Sequence, residues 1–356
     1  MNPRLFFILV LVVIVCCIGI GSILVPYVSG SSSRPPAGNA SSWVIIRPPS
    51  DVQALVLDGS GQAWIGGKDG ISLMNLTTNT LLTTPGCLLG IRYVKDLLID
   101  PDNALWIGTD SGLYRYQNGT CAYYSTGNGL PDNTVFCLMS DTSGRVHAGT
   151  MKGAVTFERG EITGYELGMQ NPIVFTMAED FQGGLWFGSY ASQGGGVSIL
   201  TNGSWQFFGL EDGLPHKAIT SMLSARDGSF WVGMGVYNRG GAVRFTWNGT
   251  AWNIAEVFSK ESGLAGEKVR SLYQDDTGTI WIGSESDGIA RYVNGSFQVY
   301  SVQDGLSDNE VIDFVQDDKG DLFLGTKNGI TKMPAMHIPG RINPQNSTPH
   351  NPQIGY

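Results

Sequence analysis

The chain has 356 residues, 42% of them hydrophobic, so it has enough apolar surface for a large core and is not disordered overall. Charged residues make up only 15%, the net charge is −9, and 49 residues are glycine, about twice the ordinary share. These numbers exclude a long-helix or coiled-coil protein, and they disfavour a nucleic-acid partner held by counterion release. Many glycines without a triplet period mean many tight turns, and hence many short strands.

Residues 5–28, LFFILVLVVIVCCIGIGSILVPYV, form an uncharged run. About 20 apolar residues span a bilayer as a helix. Arg4 precedes the run, which predicts a cytoplasmic amino end and export of the rest. The expected location is therefore the cell membrane, single-pass, with the folded part on the extracytoplasmic side. A cleaved signal peptide is the rival reading, and the length of the run favours an uncleaved anchor over 1–30. Residues 31–42 are rich in Ser, Gly and Pro and read as a flexible linker. Residues 334–356 are rich in Pro and Asn and read as a disordered tail.

Between these ends an aromatic–apolar–Gly motif recurs. Its copies end at Gly66, Gly108, Gly149, Gly188, Gly233, Gly283 and Gly325, spaced by 42, 41, 39, 45, 50 and 42 residues. That is close to the period of a four-stranded propeller blade. Each copy alternates short apolar runs with Asp-, Asn- and Gly-bearing turns, giving four antiparallel strands. Asn-Gly pairs mark the third-to-fourth hairpin in several copies. The seventh copy lacks a clear fourth strand, and residues 43–46 resemble one. The prediction is an all-β, seven-bladed β-propeller over 43–333, closed by an N-terminal strand and preceded by one transmembrane helix.

The stretch LWIGTDSGLYRY, with GLPDNTV about twenty residues on, resembles the two-component regulator propeller repeat. Gly129-Leu130-Pro131, Gly213-Leu214-Pro215, Gly263-Leu264 and Gly305-Leu306 repeat the second part of that motif. The resemblance implies seven-bladed propellers in the extracytoplasmic sensor regions of bacterial membrane-bound regulators. It is expected here without their kinase part, because no kinase sequence follows the repeats.

Chemistry is harder to read. Trp64, Trp106, Trp186, Trp231 and Trp281 recur once per blade, so packing between blades explains them better than a sugar-stacking platform. Asp58, Asp100, Asp141, Asp180, Asp275 and Asp317 recur at the first hairpin, with Ala225 in the fifth copy. A turn Asp binding its own backbone explains them without calcium. The histidines show no metal spacing, no catalytic motif occurs, and no cofactor is implied. Cys87 and Cys121 lie in neighbouring peripheral segments, where export permits a disulfide, and Cys137 sits in an inner strand as a buried thiol.

Two connections between second and third strands are long. Gly188 to Val197 spans nine residues and Gly233 to Val243 ten, against five in most copies. They carry Tyr190, Gln193, Tyr237, Asn238 and Arg239, and His216 lies in an adjoining connection. Such loops open on the face where blades connect, and their side chains suit a polar ligand. The expected function is a membrane-tethered ligand-binding or protein-interaction propeller, sensor-like, whose partner is a glycan, a peptide or a membrane protein. The alternative is a propeller lyase or hydrolase acting on a polysaccharide or a small cyclic substrate.

Overall fold

The computed structural model describes residues 42–191 and 194–338. The apolar run 5–28, Gln193 and most of the tail lie outside them. Among the described residues no helix is long and apolar enough to cross a membrane.

The chain forms seven four-stranded antiparallel sheets. Their inner strands are Val52–Leu57, Val94–Ile99, Val135–Ser140, Thr176–Glu179, Ile219–Ser224, Val269–Gln274 and Val311–Gln316, for blades 1 to 7 in order. Six sheets take four consecutive strands. The seventh takes three from the end of the chain and Val44–Ile46 from its start, with Val44 paired to Lys332 and Ile46 to Ile330. Joining the first and last described strands in one sheet removes the free edges of an open array.

Seven buried apolar clusters hold the ring, one at each seam between neighbouring blades. Trp106, Trp186, Trp231 and Trp281 are at most 2% exposed, and each packs against the following blade. Trp64 does the same with Val94 and Leu97. Burying such a side chain contributes about 2–3 kcal/mol. The motif glycine has a matching cause. A Cβ on Gly188 would stand 2.6 Å from Ile219 Cγ2, and one on Gly325 would stand 2.8 Å from Val52 Cγ1. The next blade's first β-branched residue occupies the space a side chain would need.

The recurrent turn aspartates are built into these seams. Asp100 Oδ1 accepts the Ala104 N–H at 2.8 Å, and its Oδ2 accepts the Trp106 indole N–H at 2.7 Å. Asp180 and Asp275 hold Trp186 and Trp281 in the same way, at 2.8 and 2.9 Å. In blade 3 the ring is His147, whose Nε2 lies 3.0 Å from Asp141 Oδ2. The six-residue step from acid to ring is thus fixed by one carboxylate serving turn and core together.

Two expectations need correction. The ten-residue connection of blade 5 is not a loop. Phe230–Val236 and Arg239–Trp247 form one long hairpin, with Met234 paired to Gly241 and Val236 to Arg239. Its glycines gave the segment a loop-like composition, yet they sit in register as strand residues. The tail also begins later than its composition suggests. Ala335–His337 form a 3-10 turn, and Ile338 packs at 4% exposure beside Trp281 and Met333.

Candidate functional site

Topology defines the faces. Each blade connection enters the start of an inner strand, and the second-to-third hairpins return to that same face, here called the upper face. Register shifts follow the first residue of the inner strand in six blades, such as Val94 to Asp96 and Val311 to Asp313. Bulges of this kind re-aim side chains.

The positions they re-aim line a central chamber of about 300 Å³. Counting from Val52, Val94, Val135, Val174, Ile219, Val269 and Val311, the second position reads Gln53, Lys95, Phe136, Phe175, Thr220, Arg270 and Ile312 around the ring. The third reads Ala54, Asp96, Cys137, Thr176, Ser221, Ser271 and Asp313. The chamber is two-sided. Phe136 and Phe175 lie 5.4 Å apart on blades 3 and 4, and Tyr190 extends the row at 5.0 Å from Phe175. Gln53, Lys95 and Arg270 stand on blades 1, 2 and 6. Arg270 is tethered loosely by Glu310 at 3.8 Å and Glu285 at 4.0 Å. Glu285 also takes Lys268, whose ammonium lies 5.9 Å from the Tyr190 ring.

Asp96 and Asp313 flank the small Ala54. Asp96 accepts the N–H groups of Leu97 at 2.8 Å and of Leu138, one blade on, at 2.7 Å. Asp313 accepts those of Phe314 at 2.8 Å and Leu55 at 2.7 Å. Each thereby closes an unpaired inner edge of the following blade. Burial pushes both carboxyls up to about 7, against the pull of those hydrogen bonds, and the charge of Asp313 raises Asp96 further. Cys137 is a free buried thiol, pushed well up by burial.

The residues singled out in the sequence divide between two places. Tyr190 leaves the blade 4 connection to bridge Ala218 of blade 5, which turns its ring toward the chamber mouth. Tyr237 and Asn238 form the two-residue tip of the blade 5 hairpin, where Tyr237 is 86% exposed with φ of 51°. His216 lies between them. Its Nδ1 accepts the Ala218 N–H at 3.0 Å, and burial with the charges of Lys217 and Arg239 holds the ring below its ordinary value. Cys87 and Cys121 are joined, with Cα atoms 6.1 Å apart. Among the described residues no group of three or more His, Cys, Asp or Glu is placed to hold a metal. The chamber residues were missed because one repeat shows nothing unusual there. Their signal is the contrast across copies: a fixed β-branched residue followed by two positions of changing chemistry.

Residues 263–286, from the blade 6 connection through its second strand, match the family described as two component regulator propeller. The chain carries a two-component regulator propeller repeat. No curated protein matches the sequence. The fold is similar to the extracellular domain assigned to a hybrid two-component system from B. thetaiotaomicron. The TM-score is 0.71 at 21% identity, over 85% of this chain and 42% of that one. This chain thus spans less than half the length of that domain. It is also similar to virginiamycin B lyase from Staphylococcus aureus, with TM-score 0.62 and 17% identity over 82% of this chain and 97% of that one. The WD40 propeller of Doa1 reaches TM-score 0.62 at 16% identity, over 81% of this chain and 94% of that one. At such identities the likeness is one of fold, and fold does not fix function.

Proposed function

We propose that this two-component-regulator-type propeller is an extracytoplasmic, sensor-like binding module, tethered to the membrane by residues 5–28. Its ligand is a glycan end, a peptide or a loop of a membrane protein, received at the upper mouth of the chamber. The observation behind this reading is the two-sided wall. An aromatic row of Phe136, Phe175 and Tyr190 stands on blades 3 and 4, with Lys95 beside it on blade 2 and Gln53 and Arg270 across the ring on either side of Ile312, an arrangement that takes a flat apolar face and polar groups together. The Tyr237–Arg239 hairpin supplies further contact at the rim.

The test is capture of arrayed glycans and peptides by the full chain, followed by affinity measurement on alanine variants. Phe175→Ala and Arg270→Ala should each weaken binding about tenfold or more. Joint Tyr237→Ala and Arg239→Ala should weaken it by a smaller factor. A captured ligand whose affinity survives all these changes would overturn the reading.

A second reading, a lyase or hydrolase, has one observation in its favour. Asp96 and Asp313 are poised near neutrality in one chamber, which suits general acid–base work. Turnover of a bound polysaccharide or cyclic substrate that Asp96→Asn and Asp313→Asn abolish, with binding retained, would establish it.

A further inference from the structure

The blades provide an internal comparison for a second site, on the lower face. In blades 2 and 6 three groups recur together: the turn acid, the indole six residues on, and an arginine opposite that indole on the third strand. Trp106 is paired with Arg115 and Trp281 with Arg291, whose guanidiniums lie over the rings at 5.5 and 5.9 Å. The acid completes the set, with Asp100 Oδ2 on the Trp106 indole and 3.9 Å from Arg115 Nε.

Blade 5 keeps two of the three. Trp231 is paired with Arg244, but the acid's position holds Ala225. The Trp231 indole N–H settles on Ser229 Oγ at 3.2 Å. Arg244 turns Nη1 to Glu256 at 2.7 Å and Nη2 to Asp227 at 3.5 Å, and its Nε is buried without a partner. The Nε groups of Arg115 and Arg291 also lack a hydrogen bond, but there an acid already stands in the slot. In blade 5 Trp231 and Arg244 border a cavity of about 510 Å³. Its walls include Arg226, Asp227, Trp231, Arg244, Tyr292 and Asn294. Arg226 is anchored on backbone carbonyls of blade 6, including Asp275 O at 2.6 Å, so its charge is fixed at the rim.

We propose that this cavity binds a small organic carboxylate, whose oxygens stand where the other blades hold their turn aspartate. The ligand accepts from the Trp231 indole, a charge-assisted bond, and pairs with the Arg244 guanidinium across the gap at which Asp100 stands from Arg115, 3.9 Å. It competes with Asp227, an exposed acid at the long distance of 3.5 Å. Trp231 and Tyr292, 5.2 Å apart, offer an apolar wall for the carbon skeleton. The site is separate from the chamber, so it does not depend on the reading above.

The test is a titration of the ¹⁵N-labelled full chain with acetate and succinate, against chloride at equal ionic strength. The readout is the Trp231 indole resonance, assigned by its loss in Trp231→Phe. A saturable shift with the carboxylates is expected. In Ala225→Asp the carboxylate is supplied by the chain itself, and the titration should vanish. In Arg244→Gln it should weaken about tenfold, the loss of the paired charge. The proposal is overturned if carboxylates shift the resonance no more than chloride does. It is also overturned if folded Ala225→Asp titrates like the parent chain. Should Ala225→Asp not fold, an Arg244→Gln chain that titrates unchanged overturns it alone.

Discussion

The propeller uses aspartate in two places. At the first hairpin of a blade, Asp180 accepts the N–H groups of Gln182 and Gly184 and the indoles of Trp186 and Trp252, all within 3.1 Å. In the chamber, Asp96 and Asp313 each accept only two backbone N–H groups and keep lone pairs facing the cavity. The turn acids recur because six of the seven blades use one to hold the first hairpin, blade 5 having Ala225 in its place. The chamber acids occur in two blades of seven, beside each other around Ala54. A repeated residue answers to the architecture. A residue that breaks the repeat on an unchanged backbone is free to answer to a ligand.

The largest effect should come from the turn. Asp180→Ala strands three buried donors, the Gly184 N–H and the Trp186 and Trp252 indoles, and should lower unfolding free energy by about 3–5 kcal/mol, read from the urea midpoint. A loss under about 1 kcal/mol would erase the contrast with ordinary surface turns. The chamber pair should instead reveal itself through pH. The carboxyls of Asp96 and Asp313 stand at about 7 in the native state against 3.8 ordinarily. Their protonation therefore favours folding below the ordinary value, and this contribution is lost as pH rises through about 7. Between pH 5 and 8 stability should fall by on the order of 1–2 kcal/mol per carboxyl, allowing for water in the chamber. The Asp96→Asn, Asp313→Asn double variant should flatten that slope.

Asp141 should behave in the opposite sense. Burial raises its pKa, but hydrogen bonds from His147 and Arg145 prevail and hold it below its ordinary value. Its contribution is present above the ordinary carboxylate range and is lost on acidification. An Asp141→Asn variant that left the acid limb of the stability curve unchanged would remove this half of the comparison.

Smaller effects refine it. Ala225→Asp restores the missing turn acid of blade 5 and should add about 0.5–1.5 kcal/mol by thermal unfolding. Tyr237→Ala, at an exposed hairpin tip, should change stability by less than about 0.5 kcal/mol. A larger loss would make Tyr237 part of the blade rather than a surface contact.

Much of the architecture was legible because it repeats. Seven copies impose the same demands, so the turn acid, the indole and the glycine stand out by period alone. Even the borrowed closing strand could be read, since residues 43–46 resemble other fourth strands. The chamber could not be read in this way. At the one-residue bulge two successive residues, Lys95 and Asp96, both line the cavity, and a strand's alternation does not announce a bulge. The blade 5 hairpin reads as a loop for a related reason, because Gly235, Gly240 and Gly241 pair in register at φ of 135°, 152° and 138°, a strand geometry whose glycine requirement looks like loop composition.

The amino-acid sequence by itself determined the blade count, the seam aromatics and the way the ring closes, because periodic burial and turn chemistry are local demands repeated along the chain. Only the tertiary structure decided that Asp96 and Asp313, near opposite ends of the propeller, flank one alanine in a shared chamber. It also decided that Tyr190 turns inward while Tyr237 points out. Closure of the ring sets those neighbours, and with them the desolvation that moves the two carboxyls toward neutrality.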